Sequence, residues 1–134
     1  MSDTKHLHTQ DVEVRWGDMD AMGHVNNATF LTYFEHVRAQ WLGSAGWSGQ
    51  REGVAPVVVR TECDYKAPVE YPATVRVSMA ARWEGGKSVE TLYEMRDAAD
   101  SGRLYATGRA IVVFIDTQKG GAVAPPSAFV ELLK

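Results

Sequence analysis

The sequence predicts an α+β domain in which one long helix covers a face of an antiparallel sheet. Three observations carry this reading. Residues 28–43 have helical apolar spacing over a length no other run matches. Five other runs, 11–16, 56–65, 74–83, 88–97 and 103–116, read as strands. The breaks between the later strands are short and polar, so successive strands join as hairpins and the sheet is antiparallel.

DVEVRW (11–16) alternates, with Val12, Val14 and Trp16 on one face and Glu13 and Arg15 on the other. ATFLTYFEHVRAQWLG (28–43) places Phe30, Phe34, Val37 and Trp41 on one helical stripe, which Leu31, Tyr33 and Leu42 widen. Asn26 or Asn27 suits the N-cap and Gly43 the stop. GSAGWSGQREG (43–53) is a glycine-rich loop. PVVVRTECDY (56–65) is the next strand. TVRVSMAARW (74–83) follows, with Val75, Val77, Met79, Ala81 and Trp83 sharing a face, and GGK (85–87) makes a hairpin to SVETLYEMRD (88–97). RLYATGRAIVVFID (103–116) is the last long strand, and Pro125 and Pro126 precede a short helix with Ser127 as its cap. The expected order is one strand, one buried helix, four strands in meander and a helical turn. One helix is thin cover for five strands, so a second copy is expected to pair on an edge or a face, giving a homodimer or homotetramer.

The 134 residues suit a single domain, 1–134, with 1–9 expected as a flexible tail. A net charge of −3 argues against a nucleic-acid binder. The lone cysteine, Cys63, rules out an internal disulfide and fits a cytoplasmic protein. MSDTKHLHTQD lacks the apolar stretch of a secretory signal, and no apolar run reaches a membrane span, so no membrane partner is expected. With four histidines at 6, 8, 24 and 36 and no helical ligand pair, no metal or other cofactor is expected. Neither a phosphate-binding glycine motif nor a GxSxG elbow is present; GWSGQ (46–50) lacks the second glycine in place.

What remains is RWGDMDAMGHVNN (15–27), which gathers polar residues at the mouth of the helix. A carboxylate there can act as base on water or attack a carbonyl itself. Amides at the start of a buried helix, aided by its dipole, can hold a developing oxyanion. Gly23 allows close approach of the backbone to a ligand. Together these could hydrolyse an ester or thioester with no serine and no metal. Plainer readings stand beside this one. Asp18 and Asp20 also suit turns, His24 suits packing or capping, and Asn26 and Asn27 suit caps. Glu35 and Arg38 belong on a solvated or interface face of the helix, and Cys63 is a small apolar strand residue.

RWGDMDAMGHVNNATFLTYFEHVRAQWL (15–42) resembles the start of hotdog-fold acyl-CoA thioesterases of the 4-hydroxybenzoyl-CoA thioesterase-like family. VVVRTECDYKAPVEY (57–71) and WEGGKSVE (83–90) resemble that family's second strand with its proline turn and a later hairpin. The resemblance implies a hotdog fold, an antiparallel five-stranded sheet wrapped around one central helix. It implies an acyl-CoA substrate and makes Asp20 the catalytic carboxylate. It pairs His24 with a histidine of the HVNN-type members. Some of those carry Asn where this chain has Met22, so their three-residue arrangement is not reproduced. The Ala21–Met22–Gly23 loop would face the thioester oxygen, with Asn27 among the amides that follow. Lys87 and Ser88 would meet the pantetheine or phosphate end of coenzyme A; a lysine there equally suits a plain hairpin charge. Arg60, Thr61 and Asp64 would reach the cleft from a partner chain. Tyr33, Phe34 and Val57–Val59 would line an acyl tunnel or fill core.

Three alternatives share the fold: hydrolysis of acyl groups on acyl-carrier protein, a hydratase, and a non-catalytic acyl-CoA-binding protein. The hydratase reading wants an Asn-Pro-containing stretch that is missing here.

Overall fold

A computed structural model of the chain describes residues 4–47 and 49–134; the first three residues of the expected tail, and Ser48 in the glycine-rich loop, lie outside the described residues. The strands are β1 (Lys5–Glu13), β2 (Val54–Tyr65), β3 (Thr74–Arg82), β4 (Ser88–Asp97), β5 (Leu104–Asp116) and the two-residue β6 (Ala122–Val123). The helices are α1 (Asn27–Ser44) and α2 (Ser127–Leu132), and a 3-10 turn spans Trp16–Asp18. Five long antiparallel strands run in the order β1-β3-β4-β5-β2, with β6 paired to β5. No described helix is long and apolar enough to cross a membrane.

The sheet curls around α1. Its inner face is built by alternation: Val75, Val77, Met79 and Ala81 from β3, and Val89, Thr91, Tyr93 and Met95 from β4, are all buried. β5 offers small residues at alternate positions, Ala106, Gly108 and Ala110, with Gly108 directly against Phe34 of α1. A Cβ on Gly108 would fall 2.3 Å from the Phe34 ring. Phe34 stacks on Tyr93 with ring centroids 4.9 Å apart. The far end is closed by Trp41, Trp47, Phe114 and Phe129, packed edge to face. The stripe Phe30, Phe34, Val37 and Trp41 is buried as its spacing required.

Several expectations are corrected. Lys5–Thr9, expected as tail, form the start of β1, where Lys5 and Thr9 face Ala81 and Ser78 of β3. β1 ends at Glu13, so Trp16 leaves the strand for the 3-10 turn and is 77% exposed. The meander covers β3, β4 and β5 only. β2 pairs with β5, because residues 66–73 are too long for a hairpin and cross beneath the mouth of α1. Their backbone is pinned on the way: Lys66 and Ala67 donate to the Tyr105 carbonyl, and Val25 donates to Val69 at 2.8 Å. α1 runs past Gly43 to Ser44; the chain turns off at Gly46, whose φ of +81° only glycine adopts freely. Pro126, not Ser127, is the cap position of α2. Arg38 is buried, 9% exposed, because it lies between α1 and the sheet and donates to the Tyr93 hydroxyl at 3.0 Å. Val57 and Val59 are not core; they stand 37% and 59% exposed on the edge strand β2, while Val58 between them packs against the core.

Candidate active site

The loop before α1 is held by its own polar residues. Asp18 is 7% exposed and belongs to the framework. Its carboxylate accepts the Tyr33 hydroxyl at 2.6 Å, the Arg15 amide at 3.0 Å and the Arg15 guanidinium at 3.2 Å. Burial pushes the Asp18 pKa up, but these hydrogen bonds and the Arg15 charge outweigh it and hold the carboxyl below its ordinary range. Burial, followed by the same contact, drives the Tyr33 hydroxyl far above its ordinary value. The Asp18 carbonyl accepts the Asn26 amide at 3.0 Å, which fixes where α1 begins.

Asp20 closes the tight turn between these points. Its amide donates to the His24 carbonyl at 2.8 Å, and its carbonyl accepts the Gly23 amide at 3.1 Å. One carboxylate oxygen, Oδ1, accepts the Met22 amide at 2.9 Å and the His24 amide at 3.5 Å. Oδ2 has no hydrogen-bond partner among the described residues. Gly23 sits at φ +84°, and a Cβ there would meet nothing within 4 Å. Its glycine therefore answers the left-handed backbone and not a close approach. Met22 is exposed and turns its side chain outward.

Asn26 caps α1, its side-chain oxygen accepting the Ala28 amide at 2.8 Å, and its carbonyl accepts the Thr29 amide. Between Asp20 and Thr29 the amides are thus nearly all spent. Only those of Ala21 and Asn27 lack a partner among the described residues, and Asn27 is the first residue of the helix.

A cleft of about 390 Å³ opens at this point, lined by Asp20, His24, Asn27, Phe30, Tyr65 and Lys66 among others. His24 stands on its wall with Nε2 3.6 Å from a Glu70 carboxylate oxygen. A larger hollow of about 590 Å³ lies on the outer face of the sheet, beside Glu62, Glu94 and Arg109. It contains none of the loop, and Arg109 is already tied to Glu62 at 3.1 Å and to Glu90. The polar loop before α1 opens only onto the smaller of these two hollows.

The structure brings together Asp20, Met22, His24 and Asn27, with Gly23 in the same turn. It does not bring Arg60, Thr61, Lys87 or Ser88 to them within one chain. Arg60 donates to Glu62 at 2.7 Å on exposed β2, and Thr61 faces Ala110. Lys87 is exposed in the β3–β4 turn, and Ser88 opens β4 opposite Val113. Sequence reasoning missed Tyr65, Lys66 and Glu70. Their signal is KAPVEYP, a proline-bearing polar run too long for a hairpin, which must therefore pass somewhere.

A curled antiparallel sheet around one helix, with a carboxylate loop at the helix mouth, defines a hotdog fold. Residues 14–133 match the Thioesterase-like superfamily, and the chain belongs to it. Among solved structures, the PA2801 protein of Pseudomonas aeruginosa, named as a candidate thioesterase, is 30% identical with a TM-score of 0.89, over 97% of this chain and 100% of that one. A Xanthomonas campestris protein named as a candidate acyl-CoA thioesterase is 40% identical with a TM-score of 0.77, over 89% and 100%. The uncharacterised YsmA protein of Bacillus subtilis is 28% identical over 113 residues, covering 84% of this chain and 76% of its own.

Proposed function

We propose that this protein is an acyl-CoA thioesterase that cleaves its substrate to a free acid and coenzyme A, with Asp20 as the catalytic carboxylate. The observation that carries the reading is that Asp20, with one carboxylate oxygen unpartnered among the described residues, and Asn27, with an unspent amide, line the same cleft. A thioester carbonyl placed there meets a donor at the positive end of α1 and a carboxylate beside it. Asp20 takes a proton from water, whose oxygen attacks the carbonyl carbon. The carbonyl oxygen becomes an oxyanion held by the Asn27 amide. When it collapses, the C–S bond breaks and the sulfur leaves, taking up a proton. In this reading His24, on the same wall, gives that proton. Direct attack by Asp20, forming an anhydride that water then opens, uses the same geometry. A single turnover in ¹⁸O-water tests for the second route: when water opens the anhydride at the Asp20 carbonyl, the label ends on Asp20 and not on the released acid, a result that water attack on the thioester never gives.

Support for the substrate class comes from the superfamily and from the names of the relatives. The other wall is supplied, in this reading, by a second copy paired along the outer edge of β2, where Val57 and Val59 are exposed. That pairing would bring the partner's counterparts of Arg60 and Thr61 toward the cleft. A cytoplasmic location fits the single free cysteine, Cys63, whose thiol burial pushes above its ordinary pKa.

Thiol release followed with a thiol-reactive dye, across short, medium, long and aromatic acyl-CoAs, tests the reading. Turnover of one class, inhibited by free coenzyme A, is expected. Turnover insensitive to coenzyme A would point instead to acyl groups on acyl-carrier protein. Tight binding with no turnover of any substrate would leave a non-catalytic binder.

A further inference from the structure

We propose that Tyr65 is a positioning residue, which clamps the first turn of α1 to strand β2 and so fixes the Asn27 amide in the cleft. This rests on the hydrolase reading for its consequence, but the clamp is a separate claim. Tyr65 is the last residue of β2, far from α1 in sequence and 44% exposed. Its hydroxyl donates to the Asn27 carbonyl at 2.7 Å. Its ring lies edge-on to Phe30, with centroids 5.0 Å apart and planes at 72°, and Phe30 is itself fully buried. Its backbone faces Ala106 of β5. The ring is therefore fixed by the sheet, by a core side chain and by the helix.

The residue it holds is the one that matters. The first turn of a helix has few bonds of its own and frays readily. Asn27 has a spent carbonyl and an unspent amide, so an outside hydrogen bond to that carbonyl restrains the donor without occupying it. Burial, followed by the neighbouring Cys63, holds the Tyr65 hydroxyl above its ordinary pKa, so it stays protonated and donating across the neutral range. Oxyanion donors lose effect when displaced by fractions of an ångström, because the gain depends on a preset geometry.

Tyr65→Phe keeps the ring, the Phe30 contact and the strand, and removes the hydroxyl, with its bond to Asn27 and its contact to the Cys63 thiol. The experiment reads two quantities in the full chain. One is amide hydrogen exchange over Ala28–Leu31, where faster exchange is expected while β3 and β4 stay unchanged. The other is turnover of the preferred acyl-CoA, where kcat is expected to fall by about 3- to 10-fold with KM within about twofold, the range one lost neutral hydrogen bond supplies. Unchanged exchange in the first turn overturns the clamp. Faster exchange with kcat intact overturns the positioning role. If the wild type hydrolyses no thioester, that result alone defeats the hydrolase reading, and the exchange data still decide the clamp.

Discussion

Gly108→Ala tests the packing that sets α1 against the sheet. The added Cβ would lie 2.3, 2.8 and 2.9 Å from three atoms of the Phe34 ring. Carbon atoms prefer separations of about 3.5–4.0 Å. The ring must therefore move by roughly 1 Å or more, and it has little room, being buried and stacked on Tyr93 at 4.9 Å. Overpacking of this kind costs about 1–3 kcal/mol. The usual gain from replacing a strand glycine, about 0.5–1 kcal/mol, offsets part of it. A net loss of about 1–2 kcal/mol is expected, which for a domain of this size lowers Tm by roughly 3–10 °C. Urea unfolding gives the free energy and calorimetry the midpoint. Combining the change with Phe34→Leu should recover part of the loss, since the two side chains share one space. A Gly108→Ala protein as stable as wild type, or more so, would refute the argument that this glycine makes room for Phe34.

Three further outcomes follow from the same contacts. The folded-state pKa of Asp18 is lowered, so its bonds stabilise the fold above the ordinary carboxylate range and cease to do so as pH falls through the folded value. Asp18→Asn should therefore cost about 1–3 kcal/mol at pH 7, and the gap to wild type should close below about pH 4 in an acid titration followed by circular dichroism. Tyr93→Phe strands the buried Arg38 guanidinium and should cost about 1–3 kcal/mol in urea unfolding, whereas Arg38→Met, which removes the buried charge itself, should cost less. Val59→Glu places a charge on the exposed edge of β2; sedimentation should show a shift toward monomer with loss of thiol release, and an unchanged oligomer would count against pairing there.

The helix was legible because its apolar residues recur at one spacing and its cap, Asn26, sits where capping residues belong. The Asp20 turn was legible because aspartate, glycine and histidine bunch ahead of that cap. Other features depend on partners far away in sequence. Lys5–Thr9 carry too little apolar weight to declare a strand, and β3 decides that they form one. Arg38 looks like a surface charge until Tyr93, on β4, comes to it. The position of β2 at the far edge follows from its match to β5 and from the crossing of residues 66–73, which no local pattern announces. That same crossing delivers Tyr65 and Lys66 to the cleft, so they escaped a reading based on neighbours in the chain. Trp16 followed the alternation of DVEVRW, but the Arg15–Asp18 bonds turn the backbone out of the strand before it.

Asp20→Asn examines the central claim most directly. The amide side chain keeps an oxygen that can accept the Met22 amide, so the turn and the fold should survive, with Tm near that of wild type. What it lacks is the base. Measured by thiol release on the best acyl-CoA of the panel, kcat should fall by roughly a hundredfold or more, the range general-base chemistry supplies. A folded Asp20→Asn protein that retains wild-type turnover would contradict the account, and Asp20 would then be a turn residue and nothing more.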